Sequence, residues 1–129
     1  MKIIFDLDGT LICSKKRLHA LFCDLVKTDK LSFDAYWNLK FAGYTNQEIL
    51  KNKFGYSTDK INFFVHHWML NIESNQYLDM DSLIVGVDKF LCEMNKINEL
   101  YVCTARQSAP QVIEQLKKLG ILDFFKKIF

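Results

Sequence analysis

Hydrophobic positions fall into two patterns along the chain, and the first consists of short, continuous apolar runs. Residues 2–6 (KIIFD) and residues 100–104 (LYVCT) each place apolar side chains in succession and then end on a polar one. Such runs are typical of strands buried on both faces, as in a parallel sheet. Residues 127–129 (KIF) indicate the start of a third strand.

The second pattern is a helical repeat that occupies most of the chain between the first two runs. Apolar residues recur there at helical spacing, beginning with Leu18, Leu21, Phe22 and Leu25. Further helices are predicted by N-capping residues ahead of apolar repeats, namely Ser32, Thr45 with Glu48 in a capping box, and Ser57 or Thr58. We expect a small all-helical unit here, with a core drawn from Phe41, Tyr44, Phe63, Phe64 and Trp68, one or two of which could instead line a substrate pocket.

Two more helices are predicted in the second half of the chain. Residues 84–97 have helical periodicity, and residues 108–120 (SAPQVIEQLKKLG) begin near Pro110 and end at Gly120. The order is therefore strand, helical insertion, helix, strand, helix and strand start. Strands that alternate with helices predict a parallel α/β sheet.

Composition narrows the class of protein. The chain has 129 residues, half of them hydrophobic, and a net charge of +2, which is too balanced to favour nucleic acid or a membrane as partner. Met1 and Lys2 precede only three apolar residues before Asp6, which leaves no room for a signal peptide. The four cysteines form no CxxC pair and are interpreted as reduced thiols. We therefore expect a cytoplasmic protein.

Polar residues at the predicted strand ends suggest a site. Asp6 and Asp8 end the first strand and Thr104 ends the second, and ligands of parallel sheets bind at the carboxyl ends of strands. The two carboxylates repel each other, and a hard cation such as Mg²⁺ would offset that repulsion. One carboxylate can attack phosphorus, and the other can act as general acid and base.

The residues that follow each strand are suited to binding a phosphate. Gly9 allows the backbone to approach an anion closely, and Thr104 offers a hydroxyl group. The backbone N–H groups of Ala105 and Arg106 lie near a predicted helix start, where anions bind. Arg106 could bind a substrate phosphate or carboxylate, or pair with an Asp or Glu at the surface. A plain turn at residues 6–10 is the competing interpretation.

These segments resemble the haloacid dehalogenase-like superfamily of hydrolases. DLDGTL at residues 6–11 resembles its first motif, DxDGT[LV], and LYVCT resembles the second. VGVDKFLCEMNK at residues 85–96 resembles the helix before the second motif in the subgroup with a helical cap. The resemblance implies an α/β fold with a Rossmann-like three-layer core, formed by residues 1–13 and 85–129 and incomplete at the C-terminus, and a helical cap at residues 14–84.

The same resemblance implies roles for individual residues. Asp6 would be the nucleophile, and Asp8 the general acid/base with its backbone carbonyl on magnesium. Thr104 would hold the transferring phosphoryl group, and Thr10 would support the loop. Aspartate at the second motif position implies phosphate esters rather than carbon–halogen or phosphonate substrates. The implied protein is a magnesium-dependent phosphatase of a small phosphorylated metabolite, working through an aspartyl-phosphate, with a phosphomutase as an alternative.

The chain also departs from the family pattern. The family's third motif, a lysine after the third strand, and its fourth, an acidic pair, have no counterpart before Phe129. Lys126 and Lys127 are expected to precede the third strand and are not given the lysine's role. The chain is therefore expected to be part of a longer protein or a shortened, non-catalytic relative that binds phosphate or a partner. The first strand would form an exposed edge, which favours self-association.

Overall fold

A computed structural model describes all residues 1–129 as strands, helices and short connections. In chain order the strands are β1 (Lys2–Asp6), β2 (Ile12–Cys13), β3 (Ser82–Leu83), β4 (Glu99–Cys103) and β5 (Phe125–Ile128). The helices are α1 (Lys15–Val26), α2 (Phe33–Phe41), α3 (Asn46–Phe54), α4 (Thr58–Asn71), α5 (Asn75–Leu78), α6 (Val87–Asn95) and α7 (Ala109–Lys118). A 3₁₀ turn at Leu122–Phe124 precedes β5. None of the helices is long and apolar enough to cross a membrane.

The central sheet has three parallel strands in the order β1, β4, β5. Both apolar runs form the predicted strands, and the α/β class is confirmed. The third strand begins at Phe125, earlier than predicted, because Phe125 already pairs with Leu100. Lys126 and Lys127 therefore lie within β5. The strand predicted from residues 127–129 is confirmed at Lys127 and Ile128, whereas the expectation that the two lysines precede the strand is wrong.

Strand β1 is not buried on both faces, contrary to the sequence-based prediction. It lies at the edge of the sheet, which confirms the expected exposed edge, and pairs only with β4; Ile4 is 64% exposed. Ile3 and Phe5 pack against the core on the other face. That core is formed by Leu7, Leu11, Ile12, Val87, Leu91, Leu100, Val102, Val112, Leu116 and Ile121.

A second, two-stranded sheet was not predicted, and its strands lie on either side of the helical insertion in the sequence. Strands β2 and β3 are antiparallel, and the N–H of Ile84 donates to the carbonyl of Leu11 at 3.0 Å. Each strand has only two residues, which is too short for an alternating pattern to be recognised. Strand β3 lies within the segment that was predicted to be helical.

The chain divides into two compact units. The α/β unit comprises Met1–Ser14 and Leu78–Phe129, and the helical unit comprises Lys15–Tyr77. The second boundary lies before the predicted one, because Leu83 and Ile84 pack against the α/β core. The assignment of these units as catalytic core and cap stays a prediction.

The helical unit has the capping interactions that its sequence predicts. The hydroxyl of Ser32 accepts from the N–H of Ala35 at 3.1 Å, and Thr45 and Glu48 form a reciprocal capping box. Ser57, not Thr58, is the N-cap of α4.

The core of the helical unit differs in part from its prediction. Phe64 is buried and Trp68 packs beside the core, as expected. Phe41, Tyr44 and Phe63 are exposed instead. Adjacent helical residues point about 100° apart, so Phe63 and Phe64 cannot both face the core.

Candidate active site

The loop that follows β1 is a tight turn built on a buried leucine. The carbonyl of Leu7 accepts hydrogen bonds from the N–H groups of Thr10, Leu11 and Ile12 at 3.3, 3.0 and 3.1 Å. Gly9 has a φ of +81°, and its N–H donates to the carbonyl of Ile12 at 2.8 Å. A left-handed conformation of this kind favours glycine. The turn therefore fixes the backbone between Asp6 and β2.

The sheet register brings the polar ends of β1 and β4 to the same edge. Asp6 lies opposite Cys103, so Thr104 follows directly at that edge. The N–H of Thr104 donates to the carbonyl of Phe129 at 3.0 Å, and its hydroxyl accepts from the N–H of Arg106 at 3.3 Å. Asp6 is exposed, whereas Thr104 is half-buried. An exposed carboxylate at a strand end is accessible to a ligand.

The second carboxylate of the motif is held by Arg106. The Nε of Arg106 donates to Asp8 Oδ2 at 2.9 Å, and Nη2 donates to Asp8 Oδ1 at 2.7 Å. The side chain of Asp8 is 35% exposed, and that of Arg106 only 5%. Arg106 was expected either to bind substrate or to pair with a carboxylate at the surface. In the structure it pairs with the carboxylate of Asp8, and its side chain is buried.

Two further residues of this network were missed in the sequence. Asp81 Oδ2 lies 3.3 Å from Arg106 Nη2, and the side chain of Asp81 is fully buried. Gln115 accepts from Arg106 Nη1 at 2.5 Å and donates to Asp81 Oδ2 at 2.8 Å and to the carbonyl of Leu78 at 3.1 Å. The only sequence signal was Gln115 itself, a polar residue on the buried face of α7 beside Val112.

The oxygen donors at the end of β1 suit a hard cation. The carboxylate of Asp6 and the main-chain carbonyl of Asp8 are the groups that would hold Mg²⁺, which prefers oxygen ligands. The carboxylate of Asp8 is engaged by Arg106, so the carbonyl is the better donor from that residue. No three His, Cys, Asp or Glu side chains of the chain are grouped as a metal cluster.

Comparison with protein families gives one clear match. A family model of haloacid dehalogenase-like hydrolases matches residues 3–129. The chain belongs to this family. The match includes the Asp6–Thr10 loop, Thr104 after β4 and the helical unit. No match to a curated protein was found.

Solved structures of the family share the fold of this chain. A haloacid dehalogenase-like hydrolase from Streptococcus pneumoniae has a TM-score of 0.70 and 24% identity, covering 99% of this chain and 60% of its own. A Clostridium difficile protein assigned as a phosphatase has a TM-score of 0.77 and 19% identity, covering 99% and 59%. A Bacillus subtilis family hydrolase solved with magnesium has a TM-score of 0.60 and 18% identity, covering 99% and 63%.

These relatives are longer than the chain described here. The chain spans about three fifths of the length of the three solved proteins. At identities below one quarter, the likeness establishes the fold alone. Substrate, metal and mechanism are therefore argued from the residues themselves.

Proposed function

We propose that this protein is a magnesium-dependent phosphatase that hydrolyses a small phosphorylated metabolite through an aspartyl-phosphate on Asp6. The observation that carries the proposal is the sheet register, which sets Asp6 opposite Cys103 and so beside Thr104 at the carboxyl edge. A nucleophile and a hydroxyl donor at one edge suit the transfer of a phosphoryl group. Membership of a hydrolase family supports the same reaction class.

The proposed first step forms a bond between Asp6 and phosphorus. A carboxylate oxygen of Asp6 attacks the phosphorus while the ester P–O bond breaks. The leaving alkoxide takes a proton from Asp8, which acts as general acid, and departs as an alcohol. The hydroxyl of Thr104 and the N–H of Ala105 would donate to the phosphoryl oxygens, and the N–H of Arg106, which donates to the Thr104 hydroxyl, would orient that hydroxyl. Gly9 and Thr10 would line the loop beside them.

The proposed second step returns Asp6 to its starting state. Water attacks the phosphorus of the aspartyl-phosphate, and Asp8 takes a proton from that water as general base. The bond between Asp6 and phosphorus breaks, which releases inorganic phosphate. Bound Mg²⁺ would neutralise negative charge on the phosphoryl group. Asp8 thus alternates between protonated and ionised forms, and each turnover consumes one water molecule.

The proposal is tested by phosphate release from a panel of small phosphate monoesters in the presence of Mg²⁺. Wild-type protein is expected to release phosphate, and Asp6→Asn to lose at least about a thousandfold in rate, because the nucleophile is removed. EDTA is expected to abolish release. Asp79→Asn is the matched control, since Asp79 is an exposed carboxylate of the same unit and its side chain is 63% exposed.

Two results would contradict the proposal. The first is phosphate release by Asp6→Asn at the wild-type rate, which would place the activity elsewhere. The second is the absence of release by wild-type protein across the panel. That result would favour the alternative of a non-catalytic relative, which direct titration with inorganic phosphate would then examine.

A further inference from the structure

A buried guanidinium lies among three polar side chains in the α/β unit. Arg106 contacts Asp8, Asp81 and Gln115 through Nε and both terminal nitrogens. We propose that Arg106 is a positioning residue that fixes the carboxylate of Asp8, rather than a ligand of the substrate's phosphoryl group. The inference rests on the proposed function for the role of Asp8 and on the geometry for the role of Arg106.

The contact between Arg106 and Asp8 has the fork geometry that determines orientation. Nε donates to one carboxylate oxygen at 2.9 Å and Nη2 to the other at 2.7 Å. Two parallel bonds fix both the plane and the direction of a carboxylate, which a single ammonium donor does not. Each carboxylate oxygen can accept a second hydrogen bond, so a carboxylate held in this way can still meet a proton of substrate or water.

The guanidinium of Arg106 is itself held by contacts with Asp81 and Gln115. Nη2 also lies 3.3 Å from Asp81 Oδ2, and Nη1 donates to Gln115 Oε1 at 2.5 Å. Gln115 in turn donates to Asp81 at 2.8 Å, so that these three side chains hold one another. Asp81 is fully buried, which makes the loss of its cationic partner costly. Arg106 is therefore poorly placed to leave this network for a substrate.

The network ties Asp8 to elements outside its own loop. Asp8 follows β1, whereas Gln115 is carried by α7 and Asp81 precedes β3. The carboxylate of Asp8 is thereby tied to a packed helix through Arg106. Misplacement of a catalytic group by about 1 Å can cost up to about a hundredfold in rate. Loss of the fork should therefore lower kcat and leave substrate affinity nearly unchanged.

The chain offers a direct spectroscopic test because it contains only two arginines, Arg17 and Arg106. Their Nε–Hε groups give two resonances in a ¹⁵N–¹H spectrum, and Arg17→Lys assigns them. The inference predicts that Asp8→Asn shifts the Arg106 resonance strongly and leaves that of Arg17 in place. Saturation with inorganic phosphate and Mg²⁺ is predicted to leave the Arg106 resonance unchanged in wild-type protein.

The second test of the positioning role measures kcat and KM of an Arg106→Lys variant. Arg106→Lys keeps the positive charge but not the fork, so it is less prone to unfold than an alanine variant. We expect kcat to fall about ten- to a hundredfold with KM within about twofold of wild type. In an Asp8→Asn background, Arg106→Lys should lower kcat little further, because the Asp8 carboxylate that Arg106 positions is already absent.

The possible results separate this inference from the proposed function. An Arg106 resonance that is insensitive to Asp8→Asn, or that moves with phosphate, would overturn the positioning role, as would a raised KM with normal kcat. Wild-type protein without turnover and without phosphate-induced shifts at Gly9 and Thr104 would overturn the proposed function. In that case the response of Arg106 to Asp8→Asn still decides whether the pair holds Asp8 in solution.

Discussion

At the scale of single residues, Gln115 shows how a buried polar side chain is satisfied. Its carbonyl accepts from Arg106, and its amide donates to Asp81 and to the carbonyl of Leu78. Buried polar groups that lack such partners cost about 1–3 kcal/mol each. A glutamine on the apolar face of a helix is therefore a usable signal of a buried network, although it does not identify the partners.

Tyr77 gives the residue-scale prediction, which concerns pH. Burial raises the pKa of Tyr77 to about 12, and the hydrogen bond of 2.7 Å that its hydroxyl donates to Asp24 adds to the shift. A raised folded-state pKa means that the protonated phenol stabilises the fold. This contribution is complete below about pH 10, the ordinary tyrosine value, and is lost as the pH rises through about 12.

We therefore expect the free energy of unfolding to decline between about pH 9 and about pH 11, with a smaller decline in Tyr77→Phe than in wild type. Burial also raises the pKa of Tyr36, so part of the decline should persist in that variant. Urea unfolding at both pH values measures the decline in the free energy of unfolding for each variant. Tyr44→Phe is the control, because Tyr44 is exposed. Equal declines in Tyr77→Phe and wild type would contradict the expectation.

At the scale of elements, the features that depend on residues close in sequence were predicted, and those that depend on distant residues were not. The helix caps at Ser32, Thr45 and Ser57 were predicted because each depends on residues within three positions. The ends of β1 and β4 were predicted to within one residue because each apolar run stops there. Strands β2 and β3 were not, since their pairing joins Ile12 to Leu83 across the whole insertion.

The candidate site divides in the same way. Asp6, Asp8 and Thr104 stand out because they end apolar runs, and parallel strands carry such ends to one edge. The contact between Asp8 and Arg106 spans 98 positions, and no local pattern specifies it. Asp81 could not be chosen over the nearby Asp79, because only the fold buries one and exposes the other.

Strand β1 gives the prediction for an element. Its outer edge is unpaired in the sheet, and Ile4 is exposed there, a combination that promotes pairing between chains. We expect wild-type protein to associate as its concentration rises and Ile4→Lys to associate less, because a charged edge opposes pairing. Sedimentation velocity measures this.

Ile97→Lys is the matched control for the edge. Ile97 is 76% exposed but lies between α6 and β4 rather than in a strand, so its substitution should leave association unchanged. A wild-type protein that stays monomeric at all concentrations, or an equal effect of both substitutions, would contradict a role for the β1 edge.

At the scale of the whole molecule, two separately packed units occur in one chain. The α/β unit contains Asp6, Asp8, Thr104 and Arg106, and the helical unit has its own aromatic core around Phe22. All the residues proposed for chemistry therefore belong to one unit. The main proposal, that Asp6 accepts the phosphoryl group, therefore concerns the α/β unit alone.

The most direct test of that claim is the intact mass of the protein, quenched in acid shortly after mixing with Mg²⁺ and a small phosphate monoester from which it releases phosphate. We expect a species heavier by one phosphoryl group, with the modification on the peptide that contains Asp6. Asp6→Asn should show no such species. Phosphate release without modification of that peptide, or an equally modified Asp6→Asn protein, would contradict the account.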